Sequence, residues 1–220
     1  MNLPNAAIEG VSIVLVGSFN PRIFQPAWFA AQKLIREEEA TEADVELLRQ
    51  EITVFSLDWL NVQVLQQRFI ASATQPPFFE PLRDFVYGTF TILQHTPVRY
   101  LGLNTDRHFK MESEAAWNDI GKRLAPPDGW ESVLKEPGMR SVTMQGKRPD
   151  AMRGAIHVKV EPSIKVDHGV FVEVNDHYAF GEEEDAEVPA GSAIPIMKDQ
   201  WDSFLKRSDE IAAAIFESSS

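Results

Sequence analysis

Val11-Ser12-Ile13-Val14-Leu15-Val16 is an apolar run interrupted only by Ser12 and rich in β-branched residues. This pattern predicts a strand covered on both faces. Gly17-Ser18-Phe19-Asn20-Pro21 ends it, and Pro26 suits the first position of a helix. Trp28, Phe29, Gln32 and Ile35 then recur at helical spacing. Residues 36–44 are nearly all polar. Either they continue that helix as a solvated face, or the helix breaks at Thr41, which then caps a second helix through Leu48. Leu60, Val62 and Val64 alternate with Asn61, Gln63 and Leu65, which predicts a strand. Gln66-Gln67 makes the turn, and residues 68–74 pair back. Phe79, Leu82, Val86, Phe90 and Leu93 form the strongest helical stripe in the chain, and their aromatic content marks a core helix. Pro97 stops it, and residues 98–103 form a strand ending at Asn104.

Beyond Asn104 the pattern changes. Ser113 caps a helix that carries Trp117, Ile120 and Leu124 on one face. Asp128 caps a short helix through Lys135, which Pro137-Gly138 stops. Residues 139–145, 154–160 and 169–178 read as three strands with short polar connections, so an antiparallel meander is expected. Residues 181–191 form an acidic loop expected to be mobile. Asp199 caps a last helix marked by Trp201, Leu205, Ser208, Ala212 and Ile215, and the Glu-Ser-Ser-Ser end reads as a frayed tail. The sum is an α+β fold with an extended, mostly antiparallel sheet and helices largely on one face. Its parts are a ferredoxin-like βαββαβ first half (8–110), a helical insertion (111–137), and a three-stranded meander plus C-terminal helix (138–217). No Pro/Gly/Ser-rich linker divides them, so a single domain over 1–220 is expected.

Composition narrows the chemistry. The chain has 220 residues and no cysteine, which excludes disulfides, thiolate metal sites and thiol nucleophiles. No basic segment precedes the first apolar run, and no apolar stretch approaches a membrane span, so a cytoplasmic protein with no membrane partner is expected. Acidic residues outnumber basic ones 33 to 21, a formal net charge of −12. That balance disfavours nucleic acid, although Arg99, Arg107, Lys110, Lys122 and Arg123 could form a local basic patch. It favours solubility, with a basic protein partner as the alternative.

Two clusters carry candidate chemistry. Arg99, Asn104, Arg107 and His108 lie at and just beyond a strand end. Arg and Asn donate hydrogen bonds, so this set can hold a carboxylate or phosphate. A strand-end turn capped by Asn104 explains the same residues. In the second cluster, Glu173, Asn175 and His177 share one face of an alternating strand. They could bind a metal or perform acid–base work, or simply form a solvated sheet face. Asp176 falls on the apolar register. There the strand ends, or a carboxylate sits at the rim of the core and needs a partner. The histidines His95, His108, His157, His168 and His177 show no metal-motif spacing, and no nucleophile elbow, phosphate loop or dinucleotide fingerprint is present. No catalytic residue, metal or cofactor is assigned.

Several runs together resemble a sporadically distributed bacterial family of α+β proteins for which no activity is established. They are the opening strand and helix, Val98-Arg99-Tyr100-Leu101-Gly102-Leu103-Asn104, the late strand with Asn175-Asp176, and the closing Ile215-Phe216-Glu217. The family strand runs Leu-Gly-Leu-Arg-Tyr-Ile-Asn; here Leu-Gly-Leu passes directly to Asn. The resemblance implies a fold and no reaction. The expectation is a non-enzymatic interaction or regulatory protein of bacterial type, self-associating or bound to a protein partner. Its setting by analogy is a two-gene operon such as a defence or toxin–antitoxin pair. The rival is an enzyme or binder of a small anion on a concave sheet face.

Overall fold

Val11, Ile13 and Leu15 turn to one face of β1 (Ala6–Gly17), a strand longer than its apolar run and placed in the middle of the sheet. The structure is a computed structural model that describes residues 5–181, 183 and 186–217. After β1 come α1 (Pro26–Ala31), α2 (Glu37–Glu42), β2 (Asp44–Leu48), β3 (Ile52–Ser56), β4 (Asn61–Leu65), β5 (Arg68–Ala73), α3 (Phe79–Ile92) and β6 (Pro97–Lys110). The second half holds α4 (Glu114–Leu124), β7 (Val142–Lys147), β8 (Gly154–Pro162), β9 (Gly169–Ala179), β10 (Val188–Pro189), α5 (Ala193–Asp199) and α6 (Trp201–Phe216).

The strands join one sheet in the order β2-β3-β4-β5-β1-β6-β9-β8-β7, with the short β10 against β6. Every pairing among the described residues is antiparallel. The segment β4-β5-β1-β6 has the order expected of a ferredoxin-like unit, and β7-β8-β9 is the expected meander. The α+β class and the extended antiparallel sheet are thus as read from the sequence.

Helices cover one face. At the β1–β5 end the core is aromatic: Phe24 lies 5.5 Å from Phe69, Phe69 lies 5.0 Å from Phe90, and Phe29 lies 4.8 Å from Phe85 between ring centroids. Such offset and edge contacts add to area burial. At the β9–β8 end a smaller core gathers Phe109, Val172 and Val174 with Ile120 of α4 and Ala212 of α6. The two main strands approach closely where β1 meets β6. A Cβ at Gly17 would stand 2.1 Å from the Pro97 carbonyl oxygen, so only glycine fits that bulge.

Several elements differ from the sequence reading, each for a local reason. The first helix ends at Ala31, and the chain reverses through Lys33 at φ 60, a turn built without glycine. Thr41 caps nothing. It lies inside α2 and its hydroxyl donates to the Glu37 carbonyl. Residues 44–48 are strand, not helix, and β3 follows, because Thr53 and Phe55 are drawn into the core and the Thr53 hydroxyl donates to the Pro21 carbonyl at 2.8 Å. Residues 128–135 form turns instead of a helix; Trp130, Val133 and Leu134 are exposed, so no core holds a helix in place. Asp199 ends α5, and α6 starts after Gln200. The acidic loop is ordered at its end, where Val188 pairs with Val98 and the Ser18 hydroxyl donates to Glu187 at 2.7 Å. Residues 182, 184, 185 and 218–220 of the predicted loop and tail lie outside the described residues.

Candidate functional site

The strand predicted to end at Asn104 continues to Lys110. Its polar residues Asn104, Thr105, Arg107 and His108 do not stop it, because each finds a partner in the folded chain. Thr105 and Arg107 turn to the helices, where Thr105 and Ser208 share a buried hydroxyl contact and Arg107 Nη1 lies 2.7 Å from Asp209. Arg107 Nε also lies 3.7 Å from Glu9. Tyr100, Gly102, Asn104, Asp106 and His108 therefore occupy the opposite, uncovered face.

Pairing then sets the geometry of that face. Gly102 lies opposite His177, Asn104 opposite Asn175, and Asp106 opposite Glu173. On the other side of β6, Gly10, Ser12 and Val14 of β1 lie opposite Asp106, Asn104 and Gly102. Val14 and Val16 in turn face Ile70 and Arg68 of β5. Apart from Gly10, these residues line a depression of about 370 Å³. It has three chemical zones. Asp106 and Glu173 make one end acidic. Asn104 and Asn175 supply carboxamides in the middle, with Asn104 Nδ2 donating to the Ser12 hydroxyl at 3.2 Å. Beyond Gly102 the wall is Val14, Ile70, Tyr100 and His177, with the Tyr100 and His177 rings 5.0 Å apart.

The electrostatics follow from burial. Asp106 is raised to about 6, first by burial and then by the facing Glu173; Lys165 and Lys159 oppose the shift. Burial also lowers His177, helped by His157 and Arg148, so its imidazole tends to be neutral. Asn175 Oδ1 is enclosed without a donor. His108 faces the same side but further along, stacked 4.8 Å from Phe171 with Nδ1 2.8 Å from the Ser163 hydroxyl. Burial lowers its pKa as well.

Of the seven residues singled out in the sequence, Asn104, Glu173, Asn175 and His177 meet in the depression. Arg107 is on the far face, Arg99 lies at the β1–β6 bulge outside the lining, and His108 sits beyond its end. An anion clamp built from Arg99, Asn104 and Arg107 is therefore not formed. Asp106 was missed, although its place two residues after Asn104 on one strand would have found it once the strand was known to continue. Distance also separates the titratable groups. His177 stands at the level of Gly102, four residues from Asp106, which is about 13 Å along a strand. Both cannot act on one bond.

A second cluster lies beneath the covered face. Asp176 continues the apolar register into the core and is fully buried. Arg148 Nη1 and Arg207 Nη1 both donate to it, and Tyr178 Oη donates to Asp176 Oδ2 at 3.4 Å. Arg148 also grips Asp150 through Nε at 2.9 Å and Nη2 at 2.6 Å, and its guanidinium lies 3.7 Å from the Tyr178 ring centroid. Burial pushes Tyr178 to about 12, and the Arg148 hydrogen bond lowers Asp150. Asp176 and Arg148 are buried at the centre of this network, while Asp150 and Arg207 reach its partly exposed rim. A narrower apolar cleft of about 130 Å³ between α4 and the β8–β9 strands gathers no comparable polar set. No group of three or more His, Cys, Asp or Glu among the described residues is arranged to hold a metal ion, and none of the described helices is long and apolar enough to cross a membrane. No protein-family model matches the chain, and no curated protein matches its sequence.

Proposed function

We propose that this protein acts by binding another protein, with the uncovered sheet face as its contact surface, and catalyses no reaction. One observation carries the reading. The acidic, amide and aromatic rungs of the face are spread along a wall, with Tyr100 and Asp106 about 20 Å apart along one strand. Spacing of that order suits recognition of an extended surface, whereas acid–base turnover needs groups within hydrogen-bond reach of one substrate. The buried charges near it support the same reading, since Asp176, Arg148 and Arg207 are consumed by one another. Self-association is a natural form of this activity. The sheet ends in uncovered edges, with Val45 and Leu48 on β2 and Met144 on β7 exposed.

The test is a pull-down with the full chain, paired with light scattering across a concentration range. A stoichiometric protein partner, or a concentration-dependent oligomer, is expected, and Val14→Lys with Ile70→Lys should abolish it. A monomer at high concentration that retains no protein overturns the proposal. So does association that ignores both substitutions.

A further inference from the structure

Resting on that reading, we propose that the acidic end of the depression receives a lysine or arginine side chain of the partner, between Asp106 and Glu173. The two carboxylates face each other across β6 and β9. Like charges placed directly opposite on neighbouring strands destabilise a sheet unless a cation stands between them. Among the described residues Lys159 and Lys165 act on the pair only from beyond ion-pair distance. Lys159, the β8 residue opposite Glu173, turns its ammonium to Glu161 at 2.9 Å. Neither Asp106 nor Glu173 lies within ion-pair distance of a described cation.

The surroundings have room for such a guest. Gly10 is the β1 neighbour of Asp106 and brings no side chain over it. Gly102 leaves the floor open, since a Cβ there would stand 3.6–3.7 Å from the Asn104 and Asn175 carboxamides. These carboxamides offer acceptors to the spare protons of an ammonium or guanidinium. Val14 and Ile70 lie further along the same depression and offer an apolar wall to the rest of the partner segment. A partner rich in such side chains also matches the net charge of −12. The charged groups facing Asp106 are Glu173 on β9, Lys159 on β8 and Lys165 in the β8–β9 connection; β1 contributes none at Gly10. Protonation of Asp106 as pH falls through about 6 therefore removes half of the anionic pair.

The experiment is an amide NMR titration of the full chain with the blocked peptide acetyl-Gly-Lys-Gly-amide. Acetyl-Gly-norleucine-Gly-amide serves as the uncharged control, and spermidine as the free-amine arm. The lysine peptide should move the signals of Gly10, Gly102, Asp106 and Glu173, and do so less at pH 5 than at pH 7. Asp106→Asn with Glu173→Gln should weaken it by roughly ten- to a hundred-fold, the loss of charge-assisted hydrogen bonds. Gly102→Leu should block it with every charge retained. Equal binding by the norleucine peptide overturns the inference. So does full affinity in the double variant, or saturation by spermidine at far lower concentration, which would make this a site for a free polyamine. A partner that is captured equally by wild type and by Asp106→Asn/Glu173→Gln would sink this inference while leaving the proposed function standing.

Discussion

Strands β6 and β9 run side by side and show opposite electrostatic designs on their two faces. On the covered face Asp176 is completely buried, yet it meets two guanidinium groups and a phenol. On the uncovered face Asp106 and Glu173 are only partly buried, and they face each other with Lys159 and Lys165 near but beyond ion-pair distance. A carboxylate deep in a core is tolerated only with its charge matched. One beside solvent can be left unmatched at modest cost, and that cost is recoverable when a partner arrives. The covered cluster therefore holds the molecule together, whereas the uncovered one keeps its attraction available.

Breaking the covered cluster should have the largest effect. Asp176→Asn leaves Arg207 without its anion and Arg148 with Asp150 alone. Loss of one partner from a buried ion network costs about 3–5 kcal/mol, which lowers the melting temperature by roughly 6–20 °C for a chain of this size. Thermal unfolding checks it, and an unchanged midpoint would mean the network contributes only packing. Ser208→Ala comes next. It strips the buried Thr105 hydroxyl of its partner between β6 and α6. The expected loss is about 1–3 kcal/mol, read from the urea midpoint.

Asp106→Asn sharpens the contrast because its sign is reversed. The folded-state pKa of Asp106 is raised to about 6 from 3.8. Between those values the native state keeps a proton that the unfolded chain has lost. Stability therefore declines as pH rises through that window, so ionised Asp106 burdens the fold near neutrality. The asparagine variant should gain on the order of 1–2 kcal/mol at pH 7 and nothing at pH 3, measured by chemical denaturation at both. A variant less stable at pH 7 would show that Asp106 has an internal partner.

What could be read in advance follows the same division. Alternation in Val170, Val172 and Val174, and the stripe of Phe79, Leu82, Val86 and Phe90, located β9 and α3 because burial acts on one face at a time. The run Asp44–Leu48 carried no such signal, being exposed throughout, and its Leu47-Leu48 pair mimics a helix face. Lys33 turned the chain where no glycine announced it. The latter half of β6 was hidden for a different reason. Thr105 and Arg107 look like loop residues until α6, about a hundred positions away, supplies their partners. The β9 side of the depression was likewise legible in Glu173, Asn175 and His177, and Asn104 on β6 with it. The rest depends on strand register, a property of paired segments that neither segment carries alone. Arg148 gave no hint of burial, since nothing in Gly146-Lys147-Arg148-Pro149 points to a distant carboxylate.

The position of β1 has a consequence for biogenesis. This strand leaves the ribosome well before either of its neighbours: β5 ends at Ala73 and β6 at Lys110. At about 5–20 residues per second, its apolar residues wait roughly 5–20 s before both flanks can dock. We expect the nascent chain to need a holding chaperone over that interval, and slowing translation after residue 17 should raise the fraction lost to aggregation.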